Sequence, residues 1–215
     1  MSLIAKDTGG EGSFTPVPPG THLARCYRII DLGTQKSEYQ GQIKHLRKIM
    51  VQFEVHSEDE TGNPLRTFKG EPMSISKSYT LSLAEKATLR KDLQSWRGRD
   101  FTAEELRGFE LKNILGQWAM LSIAKSIGNN GKEYTNIMSV GQVPASMKKA
   151  GLPGGINSVA LFSLEEPDLN IYETLGKNLQ EKIALSPEWQ SIQKKPKITF
   201  AVKGGIEDMA DDIPF

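Results

Sequence analysis

Between Lys44 and His56 the chain sets Ile49, Val51, Phe53 and Val55 at alternate positions, with Lys48, Met50, Gln52 and Glu54 between them. A period of two puts one set on one face of an extended strand and the other set on the opposite face. Such a strand cannot satisfy its backbone or bury its apolar face alone, so it commits the chain to a sheet. Its start is basic, with Lys44, Arg47 and Lys48.

The same logic finds four more strands. Thr21–Asp31 reads as the first, with Ala24 and Cys26 alternating with Arg25 and Tyr27, and Gly33 breaking or bulging it. Gln35–Ile43 reads as a polar turn carrying Lys36 and Tyr39, and Glu58–Gly62 as an acidic loop tip. Pro72–Leu83 is the third strand: Ile75, Lys77, Tyr79 and Leu81 share one face, while Ser74, Ser76, Ser78 and Thr80 share the other. Gln117–Ser126 is the fourth, with Ala119, Leu121 and Ile123 inward and Trp118 outward. The Asn- and Gly-rich turn Ile127–Glu133 leads to the fifth, Tyr134–Val140.

Helical signals lie between strands three and four and again near the end. Leu83–Trp96 carries an apolar stripe, with Ser82 and Glu85 at capping-box spacing. A short helix is expected after Thr102, with Glu104 and Glu105 in its first turn, where the helix dipole favours acids. Asn170–Ala184 repeats Ile171, Leu175, Leu179 and Ile183 at spacing four, the stripe of one amphipathic helix. No strand pattern dominates 141–170.

Three strands, a helical insert and a two-stranded hairpin follow the order of an OB-fold. The expected architecture is mainly β: a five-stranded OB-fold barrel with its helical insert between strands three and four, a helical C-terminal segment and a disordered acidic tail. The corresponding divisions are a flexible arm over 1–19, the barrel over 20–141, an extension with an amphipathic helix over 142–193, and a linker with the tail over 194–215.

The chain closes in Glu207-Asp-Met-Ala-Asp-Asp-Ile-Pro-Phe215. Such a segment has too little apolar surface to fold alone, yet it can dock. A Phe ring enters an apolar pocket while partner Arg or Lys meets the acids, and Pro214 limits the entropy lost on binding. The overall net charge of +1 hides an asymmetry: four of the 26 acids lie in the tail, so 22 acids face 27 basic residues in the body, a net +5. A basic body with an acidic tail suits a polyanion for which the tail competes.

Enzyme readings find little footing. His22, His45 and His56 show no paired-ligand spacing, and a single cysteine, Cys26, supports neither a zinc site nor an internal disulfide. The Gly-rich start lacks the strand and Gly-Lys-Ser/Thr signature of a phosphate loop, and no nucleophile elbow occurs. The expectation is a non-enzymatic protein with no cofactor and no metal. Without a signal peptide or an 18-residue apolar run, a cytoplasmic setting is expected.

The last five residues, Asp211-Asp-Ile-Pro-Phe215, resemble the tails of bacterial and phage single-stranded DNA-binding proteins, although Met209 and Ala210 interrupt the acidic run. Gly20–Gln35, Ile75–Leu83 and Ile114–Val140 are similar to OB-fold single-stranded DNA-binding proteins of bacteriophages. The resemblance implies a phage-encoded coat for exposed DNA in replication, recombination or repair, within the host cytoplasm, whose tip recruits partner enzymes through Asp208, Asp211, Asp212, Ile213, Pro214 and Phe215.

Sequence-tolerant binding of single strands needs cations for phosphates and aromatic faces for bases. On an OB barrel these lie on strands two and three and the flanking loops. The candidates are Tyr27 and Arg28 on strand one, Lys36, Tyr39 and Lys44 at the first hairpin, and Arg47 and Lys48 on strand two. Lys77 lies on strand three, and Trp118, Lys125, Lys132 and Tyr134 on the last hairpin. Tyr27 and Trp118 serve equally well as packing residues. Two other readings fit: an adaptor or recombination mediator whose barrel binds protein, and an RNA-binding OB protein, which would use 2′-hydroxyl contacts. Oligomeric state is left open, a homo-oligomer included.

Overall fold

A computed structural model describes residues 15–194 except 40, 129, 130 and 132. The protein is mainly β, built on a six-stranded open sheet: β1 (Gly20–Tyr39), β2 (Gln42–Val55), β3 (Ser74–Thr80), β4 (Trp118–Ile127), β5 (Glu133–Gly141) and β6 (Ala160–Phe162). The hydrogen-bonded order is β3-β2-β1-β4-β5, all antiparallel, and β6 lies parallel to β1. The helices are α1 (Thr88–Arg97), α2 (Ala103–Arg107), α3 (Ala145–Ala150), α4 (Leu169–Glu173), α5 (Lys177–Ala184) and α6 (Pro187–Lys194), with a 3-10 turn over Leu111–Ile114.

Alternation decides the inner face. Ile49, Val51, Phe53 and Val55 of β2 are buried with Ala24, Cys26 and Ile29 of β1, and with Ala119, Leu121 and Ile123 of β4. Leu89, Leu93 and Trp96 of α1 close over this core, and the Trp96 ring lies 5.4 Å from that of Phe53. Burial of the Cys26 thiol pushes it up to about 12, so it acts as a small apolar side chain rather than a nucleophile. Val17 is buried in the same core, so the end of the N-terminal arm is anchored.

The first strand runs longer than its sequence pattern shows. Gln35–Ile43 is not an open turn: β1 and β2 stay paired from Ala24–Val55 out to Tyr39–Gln42. The register shifts between Cys26 and Arg28 and between Asp31 and Gly33 let β1 bend along the way. At Gly33 the backbone is left-handed (φ 69°), and the Asp31 carboxylate accepts the Gly33 N–H at 2.9 Å.

Three helical expectations change. The insert helix starts at Thr88, five residues later than its apolar stripe suggests. The Ser82–Glu85 capping box does not form, because Ser82 accepts from the Ala84 N–H at 3.2 Å and closes a turn instead. The capping box appears one helix later, where the Thr102 side chain and Glu105 cap α2 reciprocally. The single helix expected over 170–184 is two, α4 and α5, divided at Gly176, which is the N-cap of the second. The third strand is also shorter than expected, and Leu81 beyond it is exposed.

Residues 142–193 form the second core. β6 takes up the edge of β1 where β4 leaves it, at Arg28–Ile30. Phe162, Leu164, Leu175, Ile183 and Trp189 then bury Ile30 and Leu32, the other face of β1. Tyr172 and Trp189 stack at 4.4 Å. The strand in 160–162 and the helix over 187–194 carried no sequence signal strong enough to place them. The linker expected from Lys194 lies outside the described residues apart from Lys194 itself, which ends α6.

Candidate nucleic-acid interface

The outer face of β2 and β3 is set by register. Cross-strand rows run Glu54–Ser74, Arg28–Gln52–Ser76, Ile30–Met50–Ser78 and Gly33–Lys48–Thr80. Ser74, Ser76 and Ser78 are exposed, so small hydroxyl side chains pave one side of this face. Tyr27 comes to it through the register shift after Cys26, which inserts one extra residue in β1. The Arg28 guanidinium sits 5.7 Å from the Tyr27 ring centroid. Burial pushes the Tyr27 hydroxyl above its ordinary range, against the opposing effects of Arg28 and of a hydrogen bond with Ser74.

At one end of this face the β1–β2 hairpin carries exposed Lys44, with Lys48 half-buried next along β2, while exposed Lys36 pairs with His45 on the opposite face. Among the described residues none of these three lysines is in an ion pair. A lysine outside an ion pair can take a phosphate without giving up a protein carboxylate. The side chain of Tyr39, and Lys132 entirely, lie outside the described residues. At the opposite end, exposed Tyr134 on β5 lines a cleft of about 530 Å³ together with Gln52, Ser74 and Ser76.

The remaining sequence candidates are held in pairs. Arg47 turns to the inner side, where Nη2 meets Asp31 at 2.6 Å and Glu165 at 3.5 Å. Lys77 donates to Asp92 at 2.7 Å and to the Met138 carbonyl at 3.2 Å. Lys125 pairs with Glu133 across the β4–β5 hairpin at 3.0 Å. Trp118 is half-buried with its ring edge-on to His56 at 4.8 Å, beside a separate cleft of about 420 Å³ that Arg97, Lys148 and Leu152 also line. The structure therefore gathers Tyr27, Arg28, Lys44, Lys48 and Tyr134 along one surface, and not Lys36, Arg47, Lys77 or Trp118; Lys36 pairs with His45, on the face of Arg47. The tail residues Asp208, Asp211, Asp212, Ile213, Pro214 and Phe215 lie outside the described residues.

Sequence reasoning missed two buried carboxylates that fix this surface. Glu54, on the polar side of the β2 alternation, is fully buried. It accepts from the Ile156 N–H (3.0 Å), the Asn157 N–H and side-chain amide (both 2.7 Å) and Arg25 (3.2 Å), with His56 Nε2 3.1 Å away. Burial pushes its carboxyl up, but these donors outweigh that and hold it below its ordinary 4.5. Asp31 accepts from Arg47, Gly33 and the Leu164 N–H, tying β6 to the bend in β1. No local pattern marks either residue, because the donors that bury them, at Ile156, Asn157 and Leu164, are more than a hundred positions away.

A cleft of about 710 Å³ lies beside Asp31 and Arg47. Its wall carries Asp31, Glu110, Glu165 and Glu166 against Arg47 and Lys112, a charge balance that repels a polyanion. No helix among the described residues is long and apolar enough to cross a membrane. No protein-family model matches the chain, and no curated protein matches it.

Proposed function

We propose that this chain is a sequence-nonspecific, non-enzymatic single-stranded DNA-binding protein of replication, recombination or repair, with an acidic C-terminal tip that recruits partner enzymes. The observation that carries the reading is the hydroxyl-paved outer face of β2 and β3. Lys44 and Lys48, in no ion pair among the described residues, flank it at one end and Tyr134 at the other, with Tyr27 and Arg28 alongside. Cations at the margin hold phosphates, and aromatic rings stack bases without reading their sequence. The tail, Asp211-Asp-Ile-Pro-Phe215, supplies the independent sequence support.

The same reading extends the sheet into an OB barrel in which the β3 and β5 edges face one another. Three features support this: the strand order, the helix α1 between β3 and β4, and the Lys77 ammonium of β3 reaching the Met138 carbonyl of β5 at 3.2 Å. Compact barrels hide their edges in this way.

The test is a charge-removal series at the hairpin. Replacing Lys44 and Lys48 together with Ala should flatten the dependence of log affinity on log salt by about 0.7 per lysine, the single-strand value for one phosphate contact. An unchanged slope, with the fold intact, would place the binding surface elsewhere.

A further inference from the structure

Gln52 and Arg28 face each other across β1 and β2, and each keeps an unmet buried polar atom. The Gln52 side-chain oxygen and Arg28 Nε are both shielded from water and lack a partner among the described residues. The other end of the Gln52 amide has only the Met50 sulfur, at 4.0 Å. Whichever way the amide is turned, one of its two ends has no good partner. A buried polar group left unpaired costs about 1–3 kcal/mol, so such a site calls for an explanation.

Gln52 also lines the cleft of about 530 Å³ at the β3–β5 end of the proposed interface. Opposite it stand Tyr134 and Asn136 of β5. Ser74 and Ser76 line the cleft too, and Pro16 and Val17 close it from the N-terminal side. The volume falls within the range of about 300–1,000 Å³ usual for small-molecule sites. Glu133 is the one carboxylate on the wall, and Lys125 neutralises it at 3.0 Å. An aromatic side chain, an unmet amide, two hydroxyls and little net charge suit a flat heteroaromatic ring with polar edges. They do not suit a phosphate.

We propose that this cleft takes one nucleobase of the bound strand, its ring against Tyr134 and its polar edge on the Gln52 amide. The pocket rests on the single-stranded DNA reading above and deepens it by naming where a base leaves the strand. Every base presents a donor next to an acceptor, and a carboxamide carries both, so the pocket accepts any base. The backbone of the strand is left to the hairpin lysines.

The experiment compares the full chain with Tyr134→Ala and Gln52→Leu. The probes are oligo-dT and an oligomer of equal length made wholly of abasic sites, with thermal unfolding confirming the fold of each variant. Tyr134→Ala should weaken oligo-dT binding by about 5- to 150-fold, the equivalent of one stacked base. Gln52→Leu should weaken it by about 2- to 12-fold, the equivalent of one net hydrogen bond. Neither variant should change binding to the abasic oligomer, and Tyr134→Phe should restore wild-type affinity for oligo-dT. If wild type binds oligo-dT but both variants bind it equally well, or lose both probes alike, the pocket is overturned while the DNA-binding reading stands. If wild type binds no single strand, both fall together.

Discussion

The ammonium of Lys77 on β3 lies 2.7 Å from the carboxylate of Asp92 on α1, and the same carboxylate oxygen accepts the Tyr79 hydroxyl at 2.8 Å. Both members of the ion pair are largely buried, with side-chain exposures of 16% and 13%. Burial, followed by the neighbouring Asp92 charge, pushes the Tyr79 hydroxyl far above its ordinary range, so it remains a donor at any working pH. Lys77 thus serves the joint between the sheet and its helical insert. Lys77→Ala should lower unfolding stability in urea by about 1–3 kcal/mol, since it leaves Asp92 without its cation. It should leave the salt slope of single-strand binding unchanged, because no phosphate contact is lost.

Glu54 makes the fold sensitive to acid. Its carboxyl titrates below 4.5 in the folded protein, so its contribution is fully present above the unfolded value and is lost as pH falls through the folded one. Unfolding measured from pH 7 down to pH 3 should show stability dropping below about pH 4.5. Glu54→Gln should lose stability at neutral pH and show a shallower decline in acid. An equal decline in both proteins would assign the acid lability to other carboxylates.

Gly33 is the seam between the two cores. A Cβ there would lie 2.4 Å from the Ser186 Cβ and 2.8 Å from Leu164 Cδ1, on a backbone at φ 69°. Gly33→Ala should therefore cost about 2–5 kcal/mol, combining left-handed strain with overpacking. Thr34 binds Glu188 of α6 through its N–H at 2.9 Å and its hydroxyl at 2.6 Å, so a shift at Gly33 loosens that helix as well. Limited proteolysis should cut the variant first within 142–194.

The tail prediction rests on charge. Four carboxylates precede Ile213-Pro-Phe215, and without them the body carries a net +5. Deleting Glu207–Phe215 should tighten single-strand binding at low salt, and the gain should shrink as salt screens the tail. Equal or weaker binding by the truncated chain at low salt would remove the competition between tail and DNA.

The strands were legible because a half-buried strand writes its burial every second residue. Ile49, Val51, Phe53 and Val55 show it, as do Ala119, Leu121 and Ile123. What the sequence hid was long-range. β6 is three residues long and exists because β4 vacates the edge of β1, a vacancy no local window contains. Glu54 occupies a polar position by alternation and is buried by a loop a hundred residues later. The charge of Lys77 and Arg47 was visible, but not that Asp92 and Asp31 would take it up. Lys36 and Lys44 stayed on the surface because a tight β-hairpin has no second layer to supply a partner.

The most direct measurement is binding of the purified full chain to labelled oligo-dT, a matching duplex and a matching RNA, each at two salt concentrations. The account predicts tight binding to the single DNA strand that weakens steeply with salt, and much weaker binding to duplex and RNA. No binding to any of the three at low salt would contradict it, and the sheet would then be a protein-docking module with the tail as its second contact.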